Sequence, residues 1–248
     1  MTTVAADQPT HGNDRFWLLH GLLPGLIFLA GLLCYHLYNW DFVIQDLFFD
    51  PAVGRWRHGE AWWANQLLHD GGRGVIKLTA LTAGIAWALS FAGKRKRWRS
   101  WRRPAAYVLL AIGLCTGVVA LIQFVSPLPC PYSLAQYDGD LAHLSAWEGY
   151  FSGQRFGRCF PGKHASGGFS LFLLYYLFRD RHLGLALVGL MVGVLAGSLF
   201  SFAQMARGAH FFSHNWWSMG IDWGVITLLY AIPFQRRITM DTGQPQAI

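Results

Sequence analysis

Charge is scarce in this sequence. Asp, Glu, Lys and Arg make up 13% of its 248 residues, about half the share found in a soluble domain. Acid is scarcer still, with 13 Asp and Glu against 20 Lys and Arg and a net charge of +7. That excess does not read as a nucleic-acid surface, because no basic stripe interleaves with polar residues. The cations fall instead in short blocks between long apolar runs, which is how membrane topology is written. No cleavable leader is expected either: the first fifteen residues are polar, and the apolar run from Phe16 is too long for a signal core. That run is expected to stay as an anchor. There is no internal repeat and no low-complexity segment.

What is present is apolar. Hydrophobic residues reach 53%, and twelve tryptophans suit a protein with two membrane interfaces to anchor. A helix needs about 20 apolar residues to cross the hydrocarbon core. On that measure the sequence predicts an all-α polytopic bundle of six transmembrane helices. They cover residues 16–38, 75–93, 104–125, 165–178, 183–206 and 216–234. Residues 1–15 and 238–248 are expected to be tails flanking one membrane domain, 16–237. Lys94 to Arg103, the Arg179-Asp180-Arg181 turn, Arg236-Arg237 and Arg15 hold twelve of the twenty basic residues. They fall on one side, which is therefore cytoplasmic together with both termini. The connections 39–74, 126–164 and 207–215 face outward.

The first outer loop mixes Trp56, Trp62, Trp63, Leu67 and Leu68 with charged residues, as an interfacial stretch does. An anchor and a lid over a lipid entrance are both open readings. Cys34 and Cys115 fall in apolar segments, where cysteine is a small hydrophobe. Cys130 and Cys159 share the second outer loop. In an oxidising compartment they would form a disulfide worth ~3 kcal/mol; the alternative is two free thiols.

Three polar clusters border the same outer surface. The first holds Gln123 and the run Ser126 to Pro131, the second runs from Arg158 to Gly168, and the third from Gln204 to His214. Pro161-Gly162 before a helix makes a tight turn with free amides at a helix start, a setting that attracts anions. Lys163, Arg158 and Arg207 add cations, and His164 and His210 add imidazoles. Two histidines among fixed positive charges supply a nucleophile, a proton donor and counter-charge for phosphoryl transfer through a covalent intermediate. That scheme calls for no metal and no cofactor.

The three clusters together resemble the type 2 phosphatidic acid phosphatase superfamily, whose motifs run Lys-x6-Arg-Pro, Pro-Ser-Gly-His and Ser-Arg-x5-His-x3-Asp on a six-helix membrane bundle. The first falls here on Gln123, Cys130 and Pro131, the second on Pro161, Gly162, Lys163 and His164, and the third on Ala203, Gln204, His210 and His214. The family's lysine is thus Gln123, its arginines are Cys130 and Gln204, and its aspartate is His214, as in a divergent bacterial branch. The resemblance implies that His210 attacks phosphorus while His164 protonates the leaving oxygen, with His214 orienting the nucleophile. Lys163, Arg207, Arg158, Gln123, Gln204 and the amides near Gly162 would hold the phosphate. It further implies a lipid phosphatase of a bacterial cytoplasmic membrane, its site facing the periplasm or exterior. The partners would be membrane lipids of the undecaprenyl diphosphate, phosphatidylglycerol phosphate or lipid A type, with no obligatory protein partner.

Other polar residues have plainer readings. Asp222 inside the sixth segment either faces the site or pairs with a neighbouring helix. Lys77 is expected to snorkel to the interface, where His20 and His36 are also placed. Tyr132, Asp138 and Asp140 are candidates to shape a headgroup pocket. Three functional alternatives remain: transfer of the phosphoryl group to a second lipid, which Phe-Pro-Gly-x-His relatives perform; non-catalytic lipid binding or transport; and metal or haem binding by His164, His210 and His214. The last lacks Cys or carboxylate ligands at zinc-like spacing.

Overall fold

Apolar runs without internal charge satisfy their backbone polar groups only as helices when water is absent, and the computed structural model of this chain is built almost wholly of them. It describes residues 11–92, 96–144, 146–151 and 157–231. The predicted tails, apart from residues 11–15, and Lys94, Arg95, Phe234, Arg236 and Arg237 lie outside those residues. Helix α1 joins His11–Trp17, a π-helical turn Leu18–Leu22 and Leu23–Tyr38. It stops at Asn39, whose left-handed backbone closes the helix. A short α2, Trp40–Asp46, follows, then a hairpin of β1, Phe49–Asp50, and β2, Arg55–Trp56, paired antiparallel. That hairpin and an isolated parallel bridge between Leu134 and Leu141 are the departures from all-α among the described residues.

Helix α3 begins as a π-helix, Trp63–Gly71, and continues as Gly72–Ala92. It starts twelve residues before the predicted Val75, so much of the first outer loop is an extension of the second segment. Helix α4 is Arg102–Val125, with Pro104 in the first turn, where its missing N–H costs nothing. Helix α5 joins Lys163–Phe169, a 3₁₀ turn Ser170–Phe172 and Leu173–Phe178. Helices α6, Leu183–Ala206, and α7, Phe212–Ala231, complete the bundle.

Among the described residues, four helices are long and apolar enough to cross a membrane: 14–38, 63–92, 97–125 and 183–206. They present leucines such as Leu26, Leu33, Leu78, Leu121 and Leu195 outward, each more than half exposed. Helix α5 is their opposite. Ala165, Phe169, Phe172, Leu173 and Tyr176 are buried in the main core with Tyr107, Ala111, Ile226 and Tyr230. Its close fit to α6 rests on Gly189, Gly193 and Gly197, spaced four apart; a Cβ at each would lie under 3 Å from Leu174, Phe172 or Phe169. Small residues at this spacing let membrane helices approach backbone to backbone.

Helix α7 turns a polar edge inward at every fourth residue. The Ser218 hydroxyl donates to the Gly162 carbonyl at 2.9 Å, and the Ser166 hydroxyl donates to Asp222 at 3.0 Å. Asp222 is therefore tied to α5, the pairing alternative raised by the sequence. His20 differs from expectation. Rather than sitting at an interface, it is 5% exposed, bonded to the Phe16 carbonyl and the Tyr175 hydroxyl beneath Trp223.

Candidate active site

Helix α6 delivers the third cluster. The chain leaves it through Gly208 at φ +72°, with the Gly208 amide donating to Met205 and the Ala209 amide to Gln204, both at 2.9 Å. This is a left-handed helix closure that favours glycine. Trp56 packs so tightly on Gly208 that a Cβ there would meet the indole at 2.3 Å. From α2, the Gln45 amide donates to the Met205 carbonyl at 2.7 Å, and Asp41 accepts from both the amide and the hydroxyl of Ser213. The segment that follows α1 thus clamps the turn that carries His210.

The second cluster is fastened to the third. The Gly162 amide donates to the His214 carbonyl at 3.0 Å, and the Gln123 amide donates to the Pro161 carbonyl at 3.1 Å. Gly162 also lies so close to Asn215 that a Cβ would meet its side-chain oxygen at 2.3 Å. A disulfide joins Cys130 to Cys159, linking the segment that follows α4 to the one that precedes α5.

These ties bring two histidines to one cavity of about 600 Å³. His210 is 8% exposed, and its Nδ1 lies 3.5 Å from Cys159 Sγ. A disulfide sulfur carries no proton, so Nδ1–H is the donor and Nε2 keeps its lone pair. Burial pushes this imidazole down to about 4, which leaves it neutral and nucleophilic at neutral pH. His164 opens α5, held between the rings of His69 and Phe200 at 4.7 and 4.8 Å. Its Nε2 lies 3.1 Å from the Leu68 carbonyl, which only accepts, so the nitrogen left for proton transfer is Nδ1.

The rest of the wall is part cationic and part apolar. Arg73, Lys77 and Lys163 line it together with Gln204; no Asp or Glu lines it among the described residues. The Gln204 Nε2 is buried without a hydrogen-bond partner, as is Nη1 of Arg207, which stands close enough for its charge to act on His210 and His164. Buried donors without acceptors are costly and mark a place for an anion. Ile76, Ala80, Ile112 and Phe200 form the apolar floor between α3, α4 and α6. A ligand with a phosphate head and an apolar tail matches both parts.

The predicted site residues divide accordingly. His164, His210, Lys163 and Gln204 line the cavity, and Arg207 stands beside it. Arg158 is exposed, with its guanidinium 4.5 Å over the Phe124 ring rather than in the cavity. Gln123 and Gly162 do not line the cavity; one Gln123 side-chain N–H and the Gly162 amide donate to backbone carbonyls and hold the turn. His214 is buried 5.8 Å from the His210 ring, its Nδ1 unpartnered, and stays out of the cavity lining. Tyr132, Asp138 and Asp140 do not line it either. Ligand atoms of Cys159, His210 and His214 lie within 4.8 Å of one another. With the sulfur held in the disulfide, they offer a metal two imidazoles and no thiolate.

Sequence reasoning missed His69 and Arg73, and it sent Lys77 to the interface. All three line the cavity from one face of α3, four residues apart. That spacing was the available signal.

A helical membrane protein with an imidazole pair in a cationic, carboxylate-free cavity is the class that fold and site define. Residues 104–238, more than half the chain, match the PAP2 superfamily, and the chain belongs to it. Members of that superfamily are generally phosphatases. No curated protein and no solved structure matches the chain.

Proposed function

We propose that the protein is a lipid phosphatase working through a phosphohistidine. The observation that carries this reading is the joint lining of one amphipathic cavity by His164, His210 and unneutralised donors. Nε2 of His210 attacks phosphorus, and the bond from phosphorus to the lipid-side oxygen breaks as His164, which takes up a proton at Nδ1 when the anionic phosphate binds beside it, gives that oxygen the Nδ1 proton. Water then attacks the phosphohistidine while His164 takes its proton, and inorganic phosphate leaves with His210 restored. Lys163, Arg73, Arg207 and Gln204 offset charge on the equatorial oxygens. No step requires a metal.

The same reading places six spans in a bacterial cytoplasmic membrane, with α5 and α7 as the inner pair. Both termini are cytoplasmic, and the cavity mouth is on the opposite side. The basic blocks at Lys96–Arg103 and Arg179–Arg181 support that orientation.

The test is phosphate release from a panel of phosphorylated lipids by the purified protein in EDTA, beside His210→Ala and His164→Ala. Release that survives the chelator and disappears in both variants supports the reading. Release that needs a divalent cation, or that persists in His210→Ala, overturns it.

A further inference from the structure

The Nδ1 side of His210, which the proposed reaction leaves unused, faces two further metal ligands. Cys159, His210 and His214 each bring one ligand atom to within 4.8 Å of the others, and all three are buried. Cys159 Sγ lies 3.5 Å from His210 Nδ1. A tetrahedral zinc ion, with Zn–S of about 2.3 Å and Zn–N of about 2.0 Å, holds two such atoms about 3.5 Å apart. The His214 ring stands 5.8 Å from that of His210, and its Nδ1 is buried without a hydrogen-bond partner. A buried nitrogen left in that state calls for a ligand.

In the disulfide the sulfur is uncharged and a poor ligand. Reduction by a dithiol changes the set. The S–S bond breaks, two electrons and two protons pass from the dithiol to the two sulfurs, and the dithiol closes its own disulfide. Cys130, its Cα 5.2 Å from that of Cys159, then completes two thiols and two imidazoles, the closed set of a structural zinc site. The frame that carries them does not depend on the disulfide. The Cys159 amide donates to Leu128 at 3.1 Å, the Gly162 amide to His214 at 3.0 Å and the Tyr132 amide to Gly208 at 2.9 Å. An ion can enter through the cavity that His210 lines. Two thiolates offset its charge, so no net charge is added to a buried place beside Arg207.

Metal at Nδ1 has a chemical consequence. A neutral imidazole has one N–H and one lone pair. In the disulfide form Nδ1 keeps the hydrogen, and Nε2 keeps the lone pair that attacks phosphorus. Zinc takes a lone pair at Nδ1, so the hydrogen moves to Nε2 and the nucleophile is lost. We propose that reduction of the Cys130–Cys159 disulfide creates a zinc site of Cys130, Cys159, His210 and His214. Zinc binds with release of the two thiol protons, and it holds the enzyme off until disulfide exchange runs back and expels the ion. The metal site stands by itself; its effect on turnover rests on the phosphatase reading.

The experiment uses the full chain in detergent, oxidised or reduced with a dithiol and desalted without air, and takes Zn²⁺ or Co²⁺ as the probe. Cys34 and Cys115 are free thiols in both forms, so the difference reports the disulfide pair alone. The reduced chain is expected to bind Zn²⁺ at least about a hundredfold more tightly than the oxidised chain. Co²⁺ should give it the sulfur-to-metal charge-transfer absorption of a tetrahedral thiolate site. His214→Ala should weaken that binding at least about tenfold. Equal Zn²⁺ binding by the two forms, or Co²⁺ bound without thiolate absorption, overturns the proposal, and neither reading depends on a variant that folds. Phosphate release by the reduced, metal-free chain should fall at least about tenfold when Zn²⁺ is added, while the oxidised chain is unaffected by the same addition. Undiminished release by the zinc-loaded chain overturns the off state. If the oxidised chain releases no phosphate, the phosphatase reading falls, and zinc uptake that requires reduction still establishes the site.

Discussion

The cavity has two walls of different origin. One comes from the clusters at residues 163–164 and 204–210, carries both reactive imidazoles, and is held by turns, a disulfide and backbone hydrogen bonds. The other is a single helix face, His69–Arg73–Lys77, held by helical periodicity and the seating of Gly72 on Phe200, where a Cβ would meet the ring at 2.5 Å. The first wall carries one lining cation, Lys163, with Arg207 beside it, and the second brings Arg73 and Lys77 to the same cavity. Chemistry and charge neutralisation are thus separable: imidazoles need exact placement by loops, whereas positive charge can be supplied from any helix that faces the phosphate.

If the division is right, the two walls respond differently to substitution. His210→Ala should cost the most, at least about 10³-fold in kcat, because the nucleophile is gone. His164→Ala should follow, at about 10²–10⁴-fold, and less on substrates with a good leaving group. A His164→Ala enzyme as slow on an activated aryl phosphate as on a lipid would contradict its role as proton donor. On the opposite wall, Arg73→Ala should cost about ten- to a hundredfold, the worth of one charge-assisted hydrogen bond. Steady-state kinetics should place more of that loss in KM than either histidine variant shows.

Acid should act on the first wall. His210 is held near 4 when folded and titrates near 6.5 when unfolded, so the unfolded chain binds a proton that the folded chain refuses. The stability this contributes is complete above about pH 6.5 and lost as pH falls toward 4. Melting temperature in detergent should drop over that window, and His210→Gln should flatten the slope. The smallest effect belongs to Arg158→Ala, which should change phosphate release by less than about twofold, since its guanidinium lies exposed on Phe124. A large loss there would mean that the cavity closes differently around substrate.

Reading the sequence reached the first wall and not the second, for physical reasons. Histidines 164 and 210 stand out because each follows a polar turn at the end of an apolar run. Four spans likewise announce themselves by uninterrupted apolar length. Helix α5 was legible only in outline, because the most buried helix is short and broken by a 3₁₀ turn at Ser170–Phe172. Lys77 was not linked to the cavity because a lone lysine near a helix end reads the same whether or not a cavity adjoins it. Only α4 and α6, packed beside it, decide which. Arg158 and Gln123 erred the other way, since proximity in sequence to a motif says nothing of direction, and both turn to other partners.

The central claim is covalent chemistry at His210. The direct measurement is a rapid quench of the enzyme with a ³²P-labelled phosphorylated lipid, followed by peptide mapping. The account expects label that is labile in acid and stable in base, carried by His210 and absent from His210→Ala. Label on another residue, or steady release of phosphate with no label under any quench time, would contradict it.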